Sequence, residues 1–164
     1  MPLLEIIQYP DPMLKMKADE VKNIDAAVQS FVQDMADTLR ASPGIGLAAP
    51  QLGRLLRIIA LDLSRKEKNR SLEILLNPVI VLREGRKIVR EGCLSLPAYT
   101  ANVERAEKVA IRAMDADGNE IEREASGLES IVLQHEIDHL DGIFFMDRVR
   151  SLKTDVFRRK GHTP

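Results

Sequence analysis

His135 and His139 stand four residues apart around Glu136 in the segment HEIDH, in a chain that has three histidines in all. On an α-helix, residues i and i+4 sit one turn apart on the same face with Cβ atoms roughly 5–6 Å apart, so both imidazoles can reach one metal ion. The carboxylate of Glu136, beside the first histidine, is placed to take a proton from a metal-activated water without entering the coordination sphere. The alternative is that these three side chains share an exposed helical surface. It fits poorly, because Leu128, Ile131 and Val132 continue the same face as His135 and His139 and turn it inward.

Two imidazoles make a weak site, so a third protein ligand is required. The metzincin pattern would place a histidine six residues after His139, where this chain has Phe145, and the downstream glutamate of a thermolysin-like site is missing because no glutamate follows Glu136. Asp147, Asp155, His162 and the upstream Cys93 remain, and His162 lies close to the end of the sequence. Cys93, the sole cysteine, sits in EGCLSLP, where Gly92 lets the backbone pass close to a bound group. Three readings of it compete: a buried structural thiol, a nucleophile with His135 as its base, and a thiolate completing a Cys-His-His site with one open position. The ligand reading is preferred, because a nearby metal lowers a thiol's pKa and a nucleophile would leave the HEIDH pair unexplained.

Several elements must hold these residues. Over 25–41, Ala27, Val28, Phe31, Val32, Met35 and Leu39 recur at helical spacing behind a capping Asp25, and the helix stops at SPGIG. GIGLAAPQ then reads as a loop or short strand, RIIALDL at 57–63 as a buried strand, and SRKEKNR as a charged turn that serves solubility. LEILLNPVIVLRE, RKIVREG and KVAIRAMDADGNEIEREA continue the strand character, with a tight hairpin at DADGNE. A second helix runs from Gly127 through HEIDH to a stop at Asp141-Gly142, and the tail SLKTDVFRRKGHTP is expected to form at most a weak helix that frays. The predicted architecture is α+β: a single domain over residues 1–164, with antiparallel β-sheets packed around a central metal-binding HExxH helix.

Composition narrows the function. Lys and Arg number 24 against 25 Asp and Glu over 164 residues, which excludes a broad basic surface for nucleic acid. No apolar run approaches the ~20 residues of a membrane span, the N-terminus lacks the pattern of a signal peptide, and a lone cysteine agrees with a reducing compartment. A cytoplasmic protein is expected.

GIGLAAPQ at 44–51, EGCLS at 91–95 and QHEIDHLDG at 134–142 resemble, in order and spacing, the three signature motifs of the peptide deformylase family. The likeness continues through IQYPDPML, LLNPVI and VERAEKVAIRAMDADG and so covers nearly the whole chain. It implies a metal-dependent amidase that removes the formyl group from the N-terminal formylmethionine of nascent polypeptides, in bacteria or organelles derived from them. The absence of a transit peptide points to a bacterium. The resemblance makes Cys93, His135 and His139 the metal ligands, with iron(II) as the native ion and zinc, nickel or cobalt in preparations. It makes Glu136 the proton carrier, and the Gln51 amide and the Leu94 N–H the donors to the developing oxyanion. Gly44, Ile45 and Gly46 would pair with the substrate backbone as an added strand, and Glu91 and Gly92 would also belong to the substrate-binding residues. Ile45, Leu128, Ile131, Val132 and the His135 ring would line the methionine slot, and Glu91 would pair with Arg105 to fix the ligand loop.

The partners so implied are N-formylmethionyl nascent peptides and a transient contact with the ribosome, without a membrane or sequence-specific nucleic acid. Two features depart from the family. Thr100 stands seven positions after Cys93, where members often carry arginine or another long polar residue, and FRRKGHTP is shorter than a long basic C-terminal helix. Two other readings compete, a metallopeptidase on HEIDH alone and a non-enzymatic metal-binding or ribosome-associated module. Gln51 and Glu136, which metal binding does not need, argue against the second.

Overall fold

The first helical periodicity forms α1 (Ala26–Ala41), which opens where the Asp25 carboxylate accepts the Val28 N–H at 2.9 Å. Val28, Phe31, Val32, Met35 and Leu39 are buried as their spacing requires, whereas Ala27 is exposed. The structure is a computed structural model and describes residues 3–160. Eight strands accompany α1 and a second helix: β1 (Gly46–Ala48), β2 (Ile58–Leu61), β3 (Glu73–Glu84), β4 (Lys87–Gly92), β5 (Tyr99–Arg105), β6 (Lys108–Met114), β7 (Glu120–Ser126), α2 (Gly127–Leu140) and β8 (Val156–Arg158). They form two antiparallel sheets, one in the order β1-β2-β3-β6-β7 and the other β4-β5-β8. This is the expected α+β class.

Local chemistry explains several boundaries. The DADGNE hairpin joins β6 to β7, with the Asp115 carboxylate accepting the N–H groups of Asp117 and Asn119 at 2.9 Å and Gly118 taking a φ of +87°. β3 and β4 are separated by a two-residue turn yet enter different sheets, β3 against β6 and β4 against β5. That divergence opens the gap that α2 fills. The helix packs Val132, Leu133, Ile137 and Leu140 against the core of the larger sheet, while Gln134, His135 and Asp138 reach residues of the smaller one and the turn that follows it. Every residue from Val132 to Leu140 is buried, so α2 is central. Its C-terminus is held by Arg57, which donates to the Leu140 carbonyl and to Asp141, each at 2.9 Å.

Three expectations change. The segment YTANVER, unassigned from sequence, is β5. The tail is a strand rather than a weak helix over 156–158, because a short isolated helix is marginal while the free edge of β5 supplies backbone partners. The charged turn SRKEKNR also does more than solubilise. Arg65 donates to the carbonyls of Arg40 and Gly44 at 2.6 and 3.1 Å, tying down the loop that leads into β1, and Arg70 donates to Glu129 in the first turn of α2.

Candidate metal centre

One turn of α2 separates His135 from His139 and leaves their ring centroids 5.1 Å apart. Cys93 enters from the other side, one residue after the end of β4. The candidate ligand atoms of Cys93, His135 and His139 all lie within 4.8 Å of one another, and the three residues are buried. Cys93 Sγ is 3.4 Å from His139 Nε2. Glu91 Oε1 takes His135 Nδ1 at 2.7 Å, which fixes the ring and aims Nε2 at the thiol side. The rival third ligands are engaged elsewhere: Asp147 accepts from Lys15 and from the Phe144 N–H, and Asp155 from Asn102. His162 lies outside the described residues.

Behind these three donors is a buried ionic network. Arg105 donates bidentately to Glu91 at 2.6 and 2.9 Å and singly to Asp138 at 2.6 Å, and Arg148 donates to the same Asp138. Asp138 went unread in the sequence, although its place within HEIDH, three residues after His135, was a cue to a supporting role. Gln134 clamps the backbone of Ala106 from both sides, accepting its N–H and donating to its carbonyl, both at 2.9 Å. Burial by itself would raise the Glu91 pKa, but hydrogen bonds from Arg105 and His135 outweigh it and bring the carboxyl down to about 2. Glu136 is the opposite case: burial dominates, the attraction of His135 only partly offsets it, and the carboxyl is pushed up to about 7.

A cleft of about 420 Å³ opens onto this centre. Gln51, in a 3-10 turn after β1, is nearly fully buried. Its Oε1 accepts the Ala48 N–H at 2.9 Å, and its Nε2 lies 3.0 Å from Ser95 Oγ and 3.6 Å from Cys93 Sγ. Ser95, the last residue of EGCLS, therefore orients the amide, a role its position in the motif did not disclose. Leu94 lines the cleft beside the thiol, and its carbonyl accepts from Gln8 at 3.0 Å. A Cβ on Gly44 would meet Leu94 Cδ1 at 2.7 Å, and one on Gly46 would meet Glu136 Oε2 at 2.5 Å and Val132 Cγ1 at 2.9 Å. Only glycine leaves the Glu136 carboxylate its place. Ile45, Leu128, Ile131 and Val132 supply apolar lining, and Glu91 and Gly92 line the same cleft. The Glu91 carboxylate is turned to Arg105 and His135, which makes it a positioning group.

These residues fit a divalent cation. A thiol and two imidazoles suit zinc or iron(II), and Glu136 Oε1 is buried without a hydrogen-bond partner among the described residues. Burial alone would lower the His135 pKa, yet the neighbouring Glu136, Cys93 and Glu91 raise it well above its ordinary value. His139 moves the other way, held well below its ordinary value by burial and by the charges of His135 and Arg105, so its imidazole is kept neutral, the form that can bind a metal.

Residues 3–155 match the polypeptide deformylase family. The chain is 47% identical to the peptide deformylase of Thermodesulfovibrio yellowstonii over 99% of both chains. It is 46% identical to that of Syntrophobacter fumaroxidans over 98% of this chain and 94% of the other. Among solved structures it is similar to a peptide deformylase from Legionella pneumophila, with a TM-score of 0.87, 39% identity, and 93% and 89% of the two chains covered. It is also similar to one from Synechococcus elongatus in complex with actinonin, with a TM-score of 0.88, 35% identity, and 93% and 84% covered.

Proposed function

The chain belongs to the polypeptide deformylase family, and from that membership and the geometry of its cleft we propose that Cys93, His135 and His139 hold the divalent ion with which it removes the N-formyl group of nascent polypeptides. The observation that carries this assignment is the meeting of the three donors in one buried cluster, Cys93 lying 46 positions before His139 in the chain. When bound, the ion supplies Lewis acidity, lowering the pKa of water and polarising the formyl carbonyl. Iron(II) is taken as the native ion from the family likeness, and zinc, nickel and cobalt suit the same donors.

The protein's own groups do the rest. Glu136 accepts the proton of the attacking water and returns it to the departing amine, and burial, which raises its proton affinity above that of an ordinary carboxylate, suits a group that must both take and give a proton. Gln51 Nε2, oriented by Ser95 and Ala48, and the Leu94 N–H donate to the charge that grows on the formyl oxygen. The methionine side chain enters the wall of Ile45, Leu128, Ile131 and Val132, and the substrate backbone extends the edge of β1 as an added strand. The bacterial relatives support a cytosolic setting, where newly made chains are delivered by a transient encounter with the ribosome. Among the described residues no helix is long and apolar enough to cross a membrane.

Formate release from formyl-Met-Ala, measured with metal content on the same sample, tests the function directly. No release by metal-replete protein would overturn it. Cys93→Ser tests the ligand set: serine is a harder and far less acidic donor, so metal content should fall by more than the tenfold or so lost on removing a supporting residue. Full occupancy and full activity in that variant would remove Cys93 from the ligands. Gln51→Ala is expected to lower kcat by about 10²–10³ with little change in KM, the cost of one oxyanion donor. It also leaves the buried Ala48 N–H unpaired, so a loss of about 1–3 kcal/mol in stability should accompany it in thermal melts. An unchanged kcat with a raised KM would make Gln51 a substrate positioner.

A further inference from the structure

Strand β8 brings one residue to the cleft that the deformylase reading leaves without a task. Its register with β5, Tyr99 opposite Arg158 and Thr100 opposite Phe157, is continued by the Arg159 N–H, which donates to the Ala98 carbonyl at 2.8 Å. The backbone at 159 is thus pinned to the sheet. Side chains alternate along a strand, so Phe157 and Arg159 share a face. Arg90 stacks its guanidinium over the Phe157 ring at 3.6 Å, and the Arg159 guanidinium lies over Gly92, where a Cβ on any other residue would collide with it. Gly92 is opposite Thr100 in the β4–β5 ladder and adjacent to Cys93.

Arg159, Arg90 and Lys66 are exposed at the mouth of this cleft. Arg90 donates to Asn102 besides covering Phe157, which gives it a structural use. Arg159 forms no ion pair among the described residues and aims its donors into the cleft. The two carboxylates of the cleft, Glu91 and Glu136, are buried deeper. An unpaired guanidinium presents a fork of five N–H donors that matches a carboxylate.

Resting on the deformylase reading, we propose that Arg159 is a specificity residue that receives an acidic side chain at the third residue of the substrate, two positions after the formylated methionine. An extended peptide that pairs with the β1 edge runs between β1 and the Gly92 side of the cleft, which puts its next residues under the Arg159 guanidinium. The preference so produced is for acidic over basic residues at that point, and it acts through binding, because Arg159 is neither the group that carries the proton nor a donor to the oxyanion.

The test is steady-state kinetics on formyl-Met-Ala-Xaa-amide with Xaa as Glu, Gln or Lys, using wild type, Arg159→Gln and Arg159→Glu. The amide end removes the terminal carboxylate as a competing partner. Wild type should show a KM for Glu about two- to fivefold below that for Lys at equal kcat, the size of a single partly exposed charge contact. Arg159→Gln should abolish the preference and Arg159→Glu should reverse it. At ~1 M salt, where the screening length is about 3 Å, the wild-type preference should vanish. Binding of the product peptides Met-Ala-Glu-amide and Met-Ala-Lys-amide by calorimetry should follow the same order. A preference that survives Arg159→Gln, or one that appears in kcat instead of KM, overturns the assignment while leaving deformylation intact. Absence of formate release from formyl-Met-Ala by wild type would instead overturn the underlying reading.

Discussion

Replacing Glu136 with alanine is expected to lower kcat by about 10²–10⁴, the usual contribution of a positioned acid–base group, with metal content unchanged. The two parts of that result separate because the three donors that lie within 4.8 Å of one another are Cys93, His135 and His139, and Glu136 is not among them. Glu136→Gln keeps the shape beside Gly46 and removes the basicity, so it should be nearly as inactive, which excludes a packing explanation. The proton is accepted by the ionised carboxylate, so kcat/KM falls as the pH drops through its pKa. That value is about 7 in the protein alone, and a divalent ion beside the carboxylate would pull it lower. The acidic limb of the profile should therefore lie below 7 and should be missing from the residual activity of Glu136→Gln. Metal loss from either variant would transfer Glu136 to the ligand set, and an undiminished kcat would leave the proton transfers without their carrier.

Arg105→Met should be the most destabilising single change near the site, costing about 3–5 kcal/mol, the usual result of removing one partner from a buried ion pair. For a chain of this size that corresponds to a fall in Tm of roughly 6–20 °C. Asp138 keeps Arg148, so the uncompensated charge is that of Glu91. The sign of the pH dependence follows. In the wild type the Glu91 carboxyl sits at about 2 against an ordinary 4.5, so its contribution is present above 4.5 and is lost as pH falls toward 2. In Arg105→Met burial acts without that opposition, and Glu91 takes up a proton at a higher pH. The gap in Tm between wild type and variant should be widest near pH 7 and narrower at pH 4, measured by calorimetry. A protonated Glu91 also holds His135 Nδ1 less firmly, so metal affinity should fall by about 10–100-fold. A gap in Tm that does not change with pH would mean that the variant loses packing rather than charge compensation.

Local patterns in the sequence were sufficient for the elements whose hydrogen bonds are local. α1 with its Asp25 cap, the Asp115–Asn119 turn and α2 with its two histidines one turn apart all follow from a periodicity of 3.6 and from cap and turn chemistry within a few residues, whereas β2 was legible only as a run of branched apolar residues, its partners β1 and β3 being remote. The chemistry of HEIDH was legible for the same reason, since an i, i+4 pair is a local fact. The third ligand was different: Cys93 was one candidate among several, and only the resemblance of EGCLS to a family motif favoured it beyond its chemistry.

Strand partners are remote in sequence, and so tertiary structure alone decided them. Nothing in RKIVREG states that β4 leaves the sheet of its neighbour β3 to pair with β5, or that VFR near the end becomes a third strand there. That sheet carries Glu91 to His135 and Cys93 to His139, pairs 44 and 46 positions apart. It also sets Asp138 against Arg105 and Gln51 against Ser95. Each of these contacts joins buried polar groups that would be costly to leave unpaired, so the fold must supply a partner for each. Which partner each received depended on how the two sheets closed around α2.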